Sequence, residues 1–246
     1  MPRPQYKLDH VACGVASIAD SVDYVQGVLG GEPQEIGTSP QFRFAQLEFQ
    51  GGGRIELLEP APPAGGFMER FLQARGPGVH HVTFKVPSLK AAAAAARDAG
   101  YDVVGYDDSH PSWKEAFLHP KQAQGLVIQF AESDPSLADW EPNPQDFPAA
   151  VEGPPPPPPL QFLGLLVSAR SEQEGLRQWS QLLGGEVQRQ GGRIGLSWPD
   201  SPLRVWIDVD AAVAPGPQAL LFSGRQGELG PQPQPLLGVT VTRAPQ

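Results

Sequence analysis

The sequence predicts an α+β protein made of paired βαβββ modules, with a degenerate third module at the C-terminus. Two observations predict this architecture. A strand–helix–strand–strand–strand pattern recurs at a spacing of about 70 residues, and a proline-rich stretch divides the chain. We therefore expect residues 1–132 to form a two-module domain that carries the functional site. Residues 133–159 would form a linker, and residues 160–246 a degenerate module with a structural or dimerisation role.

The first copy of the pattern begins with an alternating strand at residues 8–15. Ser17 then precedes a helical run at residues 18–29, which Gly30 ends, as expected for a serine N-cap and a glycine at the C-terminus. Strand-like segments follow at residues 42–49 and 54–58. This order predicts one βαβββ module.

The second copy repeats the same order. A strand at residues 79–86 precedes Ser88 and an alanine-rich helix at residues 89–99, and strands follow at residues 113–118 and 126–130. A third copy is indicated because residues 182–188 resemble residues 28–34, which places Gly164 where the first copy has His10. Fewer than 30 residues follow Ala219, so we expect the third copy to lack a partner within the chain. A homodimer would supply one.

Composition excludes several classes of protein. The 246 residues carry a net charge of −9 and no cluster of lysine and arginine, which argues against a nucleic-acid-binding protein. We expect no membrane association, because no apolar run is long enough to span a bilayer. A single cysteine, Cys13, excludes a disulfide scaffold. These features predict a cytoplasmic protein.

Polar residues recur at matching places in the first two copies. His10 and His81 occupy the same position of the first strand, and Glu56 and Gln129 lie among apolar residues in the last strand. A buried carboxylate costs several kcal/mol unless it is paired or bound to a metal. Two imidazoles, a carboxylate and an amide oxygen suit a divalent ion such as Zn, Co, Ni, Mn or Fe, and the ligand set does not choose among them.

Five segments of the N-terminal domain carry a family resemblance. They are Leu-Asp-His-Val-Ala at residues 8–12, Ile-Glu-Leu-Leu-Glu-Pro at 55–60, His-His-Val at 80–82, Phe-Leu-His-Pro-Lys at 117–121 and Gly-Leu-Val-Ile at 125–128. The domain resembles the vicinal-oxygen-chelate superfamily (glyoxalase, bleomycin resistance and dioxygenase proteins), and within it methylmalonyl-CoA epimerase and glyoxalase I. The resemblance implies one divalent metal between two modules, held by His10, Glu56, His81 and Gln129.

The sequence departs from the epimerase pattern at two ligand positions. Epimerases usually carry glutamine at the place of Glu56 and glutamate at the place of Gln129. Because an amide cannot accept a proton, the catalytic base is predicted to be Glu56, and Glu115 or Glu48 could serve as a second base. Further candidates for binding the substrate are Lys121, Trp113 and Glu115.

The predicted function is that of a metal-dependent isomerase or lyase, similar to methylmalonyl-CoA epimerase, which moves a proton next to the carbonyl group of a small carbonyl or thioester substrate. Two alternatives stay open. One is a glyoxalase I-like lactoylthiol lyase, which acts on a thiol adduct. The other is a non-catalytic small-molecule binding or resistance protein of the same fold, in which the four polar residues satisfy one another.

Overall fold

The computed structural model describes residues 3–137, 160–224, 229 and 233–244. Most of the predicted linker, residues 138–159, lies outside this set. The chain divides into two compact units. The module 1 unit comprises His10–His80, Pro142–Leu163 and Ala219–Gln246, and the module 2 unit comprises Met1–Asp9, His81–Glu141 and Gly164–Gln218. Each unit holds segments of two mixed sheets.

Module 1 has the predicted βαβββ order. Its elements are β1 (Lys7–Gly14), α1 (Ile18–Gly27), β2 (Glu32–Ser39), β3 (Phe42–Glu48) and β4 (Arg54–Pro60). The strands lie in the order β2-β3-β4-β1, with β1 parallel to β4 and the other neighbours antiparallel. The Ser17 hydroxyl accepts a hydrogen bond from the backbone N–H of Asp20, and α1 buries Ile18, Val22 and Val25. The predicted serine cap is confirmed.

A helix that the sequence pattern did not predict follows β4. Helix α2 (Phe67–Arg75) begins after Gly66, which makes no side-chain cap hydrogen bond. It buries Met68 against Ala12 and Leu58. The apolar side of this helix covers the strand face that carries Ala12. No N-cap side chain marks its start, which is why the sequence pattern did not predict it.

Module 2 repeats the arrangement. Its elements are β5 (Gly78–Lys85), α3 (Leu89–Asp98), β6 (Val103–Asp107), β7 (Trp113–Leu118) and β8 (Val127–Ser133). The strand order is β5-β8-β7-β6, with β5 parallel to β8. Ser88 caps α3, whose residues Leu89, Ala92, Ala93 and Ala96 are buried. Three alanines and a leucine therefore form the buried side of this helix.

Module 3 keeps the strand pattern and changes the helix. It comprises β9 (Phe162–Ala169), a short α4 (Glu172–Leu176) continued by a π-helical segment (Arg177–Leu182), β10 (Glu186–Gln190), β11 (Arg193–Ser197) and β12 (Arg204–Val209). The strands lie in the order β10-β11-β12-β9, with β9 parallel to β12. The fold class predicted from the sequence is confirmed.

The C-terminal tail forms a reduced copy of module 2. Strands β13 (Gly216–Phe222) and β15 (Val239–Arg243) are parallel, and β14 (Pro233–Gln234) is antiparallel to β15. Strands β5, β8 and β7 pair in the same way. The described part of the tail thus supplies three strands of a further module without its helix, and not a complete fourth copy. Twenty-odd residues are too few for a whole module but suffice for three short strands.

Across the described residues, no helix has the length and apolar character needed to cross a membrane.

Candidate metal centre

Module 1 brings two of the predicted ligands together. Ala12 of β1 is the register partner of Glu56 in β4, and partners in a parallel pair face the same side of the sheet. His10, two residues before Ala12, shares that face. His10 is 1% exposed and Glu56 is 9% exposed. Nε2 of His10 lies 3.7 Å from Oε2 of Glu56. An imidazole and a carboxylate therefore face each other in a buried position.

The second oxygen of Glu56 has its own partner. The Gln46 side chain, on β3, donates through Nε2 to Oε1 of Glu56 at 3.1 Å. Gln46 and Glu56 are direct register partners. Burial, and next the charge of Glu56, raise the pKa of the neighbouring Cys13 thiol to about 12. Cys13 is therefore a neutral, buried core residue near pH 7.

An apolar wall continues the same face of module 1 beyond the ligand pair. Buried side chains meet partly buried rings here; the set is Ala12, Leu58, Met68, Phe42, Phe44, Phe67, Phe71 and Leu72. Gly14 makes room for this wall, because a Cβ at residue 14 would lie 2.8 Å from the Phe71 ring and 2.9 Å from the Met68 sulfur. The face thus combines a polar pair with an apolar surface.

Module 2 carries the other two predicted ligands in the equivalent register. Thr83 of β5 pairs with Gln129 of β8, as Ala12 pairs with Glu56, and His81 lies two residues before Thr83 on the same face. His81 and Gln129 are each 6% exposed. The Thr83 hydroxyl donates to Oε1 of Gln129 at 2.6 Å. The repeat inferred from the sequence thus places the four residues at matching positions of two modules.

Two of the candidate substrate-binding residues lie beside Gln129. Oε2 of Glu115, on β7, accepts hydrogen bonds from Nε2 of Gln129 at 2.8 Å and from Nε1 of Trp113 at 2.9 Å. Nζ of Lys85 lies 3.6 Å from the centre of the Trp113 ring and donates to Oγ of Ser133 at 3.0 Å. Glu115 therefore links the Trp113 indole to the amide of Gln129, one of the predicted ligands.

The remaining candidate, Lys121, is exposed in the turn between β7 and β8, where its backbone N–H donates to Nδ1 of His119. Its predicted role in binding the substrate stays a prediction. His80 packs between the rings of Phe67 and Phe71, at centroid distances of 5.4 and 4.9 Å. Burial lowers the pKa of His80 to about 4, so this residue is neutral near pH 7.

Sequence reasoning missed the partners of the ligands. Gln46 and Thr83 were not singled out, although each hydrogen-bonds a predicted ligand side chain. Once the strand register is known, both residues can be identified. Gln46 is the register partner of Glu56, Thr83 is the register partner of Gln129, and partners point to the same face of the sheet. Neither could be found from spacing alone without the register of the sheet.

Comparison with known proteins agrees with this architecture. Residues 9–117 match the model of the Glyoxalase/Bleomycin resistance protein/Dioxygenase superfamily. The chain is similar to the ethylmalonyl-CoA/methylmalonyl-CoA epimerase of Cereibacter sphaeroides, with 28% identity over 131 residues, or 50% of this chain and 95% of the relative. It also resembles the crystal structure of methylmalonyl-CoA epimerase from Mycobacterium tuberculosis, with a TM-score of 0.50 and 26% identity over 56% of this chain and 95% of that one.

A third similarity extends over more of the chain. A mutant of 4-hydroxymandelate synthase from Streptomyces coelicolor aligns with 90% of this chain and 71% of its own, with a TM-score of 0.58 and 13% identity. At that identity the likeness concerns the fold alone, and it includes module 3 as well as modules 1 and 2. Residues 9–117, which form most of modules 1 and 2, are thus similar to the Glyoxalase/Bleomycin resistance protein/Dioxygenase superfamily.

Proposed function

We propose that His10, Glu56, His81 and Gln129 hold one divalent metal ion, and that the domain is an isomerase or lyase that moves a proton next to a carbonyl group. The substrate class is a small carbonyl compound or thioester, and a coenzyme A thioester is the first choice because the relative from Cereibacter sphaeroides is named for such substrates. The observation that carries the proposal is the buried pair of His10 and Glu56.

The chemistry of the donor set fits a divalent ion. His10 and Glu56 in module 1, and His81 in module 2, are side chains of the kinds that bind divalent ions. Two ligands bound to one ion at roughly 2.0–2.2 Å each lie within about 4.4 Å of one another. The separation of 3.7 Å between Nε2 of His10 and Oε2 of Glu56 satisfies this condition and is too long for a direct hydrogen bond. The amide oxygen of Gln129 completes a set with one formal negative charge.

A divalent ion held by these four residues would supply Lewis acidity, which lowers the pKa of a C–H group next to a carbonyl. Glu56 has distinct partners at its two oxygens: Oε2 faces His10, and Oε1 accepts from Gln46. We assign Oε2 as the ligand atom and Oε1 as the proton acceptor. The apolar wall of module 1 lies on the same face and keeps water from this carboxylate.

A lyase of the glyoxalase I type is a second candidate, and one observation favours it. Glu56 is the one ligand position with a carboxylate, since residue 129 is an amide. A reaction in which one base takes a proton from a carbon and returns it to the neighbouring carbon needs a single carboxylate. Epimerisation needs a second proton donor on the opposite face of the substrate.

Metal content is the first test. We expect about one divalent ion per chain, by plasma mass spectrometry, in the wild type purified without chelator. The double variant His10→Ala/His81→Ala should lose the ion, and His119→Ala, which removes an exposed imidazole in a turn, should keep it. A wild type that stays metal-free after incubation with Zn, Co, Ni and Mn would refute the metal site and favour the non-catalytic binding protein.

Proton exchange then tests the reaction on the loaded protein. We expect the wild type to exchange the α-proton of methylmalonyl-CoA in deuterated water, and Glu56→Gln to slow this by roughly 100-fold or more. Exchange absent with the thioester but lactoylthiol formed from a glutathione thiohemiacetal would select the second candidate. Unchanged exchange in Glu56→Gln would remove Glu56 as the base.

The predicted homodimer is tested separately, by sedimentation of the full chain.

A further inference from the structure

Module 2 holds a carboxylate against one of the proposed ligands. Oε2 of Glu115 accepts from Nε2 of Gln129 and from the Trp113 indole, and hydrogen bonds to an ionised acceptor are the stronger kind. Lys85 lies over the Trp113 ring, 3.6 Å from its centre. Glu115 is thus held by groups of two strands, β7 and β8, and Lys85 of β5 packs on the Trp113 ring.

The contacts of Gln129 decide which end of its amide is the oxygen. An ionised carboxylate only accepts hydrogen bonds, so the end of the amide that meets Glu115 must be the NH₂ group. The other end is then Oε1, which accepts from the Thr83 hydroxyl on β5, the strand that carries His81 on the same face. Thr83 alone would not settle the question, because a hydroxyl both donates and accepts.

Module 1 contains a comparable amide–carboxylate contact with the roles exchanged. The registers differ, because Gln46 lies directly opposite Glu56, whereas Phe117, and not Glu115, lies directly opposite Gln129. There the carboxylate is Glu56 on β4 and the amide is Gln46 on β3, joined by a hydrogen bond of 3.1 Å. In module 2 the amide is Gln129 on the corresponding strand β8, and the carboxylate is Glu115 on the preceding strand β7. Each module therefore keeps one amide–carboxylate pair, and only in module 1 does the carboxylate lie on the ligand-bearing strand.

We infer that Glu115 is a positioning residue for Gln129: it holds the amide so that the oxygen, and not the nitrogen, is presented as a ligand atom. The same contact explains why residue 129 is an amide, because a glutamate there would bring two carboxylates into hydrogen-bond distance, where like charges repel. This inference rests on the proposed metal site and goes beyond it by giving Glu115 a role in ligand orientation.

Metal affinity tests the inference, by titrating the metal-free protein with Zn²⁺ in a calorimeter. Glu115→Leu removes the acceptor, and we expect the affinity to fall by roughly 10-fold or more, as for other residues that orient a ligand. Glu115→Gln can still accept from Gln129 through its amide oxygen, and it should retain affinity within a few-fold of the wild type. Glu186→Leu, the same substitution on the exposed strand β10, should leave affinity unchanged.

The outcomes separate this inference from the proposed function. If the wild type binds no Zn²⁺, the metal site itself fails. If the wild type binds and Glu115→Leu binds equally well, the positioning role is overturned while the metal site stands. Equal losses in the Leu and Gln variants would overturn it too, since they would point to the charge of Glu115 and not to its hydrogen bond.

Thermal melting of the metal-free protein gives a readout that needs no ion. We expect Gln129→Glu to lower Tm by about 2–4 °C at pH 8, because two carboxylates then meet. The double variant Glu115→Gln/Gln129→Glu moves the carboxylate to β8 and the amide to β7, as in module 1. Its Tm should return to that of the wild type. A double variant no more stable than Gln129→Glu would show that the two side chains do not form a pair.

Discussion

Modules 1 and 3 have the same strand pairing, but different residue types occupy the matching positions. His10 pairs with Arg54 and Ala12 with Glu56 in module 1, while Gly164 pairs with Arg204 and Leu166 with Trp206 in module 3. The residue opposite Glu56 is Gln46, and the residue opposite Trp206 is Gly195. A tryptophan and two glycines thus replace the carboxylate, amide and imidazole. The strand pairing of the fold does not depend on the polar residues.

Module 3 uses these places for packing. Trp206 is 4% exposed and covers Gly195, where an added Cβ would lie 2.8 Å from the indole ring. At Gly164 an added Cβ would lie 1.9 Å from the carbonyl oxygen of Arg204. No side chain fits at the place of His10 without a backbone shift. In module 3 the positions that hold polar residues in module 1 are thus used to pack the Trp206 ring on a glycine.

Replacing Trp206 with alanine tests this difference between modules 1 and 3 most strongly, because it should have the largest effect on stability. We expect Trp206→Ala to cost about 3–5 kcal/mol of unfolding free energy, because it removes a large buried side chain over a glycine that cannot fill the space. Urea denaturation followed by circular dichroism measures this. Trp113→Ala, at a partly exposed tryptophan, should cost clearly less. Equal costs would show that Trp206 does not replace the ligand pair as a packing element.

A second prediction concerns the glycine at the place of His10. Gly164 has φ +129° and faces a backbone oxygen, so Gly164→Ala should cost at least about 1–3 kcal/mol. Gly27, exposed at the end of α1, has no atom within 4 Å of an added Cβ. There the same substitution should be neutral or stabilise by up to about 1 kcal/mol. Similar melting temperatures for the two variants would contradict the close approach of β9 and β12.

The sequence predicted the repeated parts of the molecule and missed the parts made by long-range contact. Alternating strands, serine caps and matched polar residues are local patterns, and they located modules 1 and 2. Helix α2 lacks a side-chain cap at Gly66, so no local signal marked its start. The contact of Glu115 with Gln129 depends on the register of β7 and β8. The parallel pairing of β13 and β15 likewise joins segments that are not adjacent in sequence, which no local pattern encodes.

The helix starts of modules 1 and 2 offer a finer comparison. In module 1 the backbone N–H of Ile18 donates to Glu59, which Arg43 also contacts; in module 2 the N–H of Leu89 donates to Glu132, at 2.7 Å. Both carboxylates lie on the last strand of a module and meet the positive end of the helix. The module 1 carboxylate is buried and that of module 2 is partly exposed, so the second should matter less.

The smallest expected effect follows from Glu132. Hydrogen bonds, first from the Lys114 side chain and then from the Leu89 backbone, hold the pKa of Glu132 below its ordinary 4.5. A lowered folded-state pKa means that the charged carboxylate stabilises the protein above about pH 4.5, and that this contribution is lost as pH falls through the lower folded-state value. We expect Glu132→Gln to lower Tm by less than about 4 °C at pH 7, because the group is partly exposed.

The pH dependence identifies the cause of that shift. Below the folded-state pKa the wild-type carboxyl is protonated and resembles the amide, so the two melting curves should converge when pH is lowered from 5 toward 3. Glu69→Gln, on α2, gives a control whose carboxylate contacts lie outside this helix start. A gap between wild type and Glu132→Gln that stays constant over this range would mean that side-chain shape, and not the charged hydrogen bonds from Lys114 and Leu89, is the source of the stabilisation.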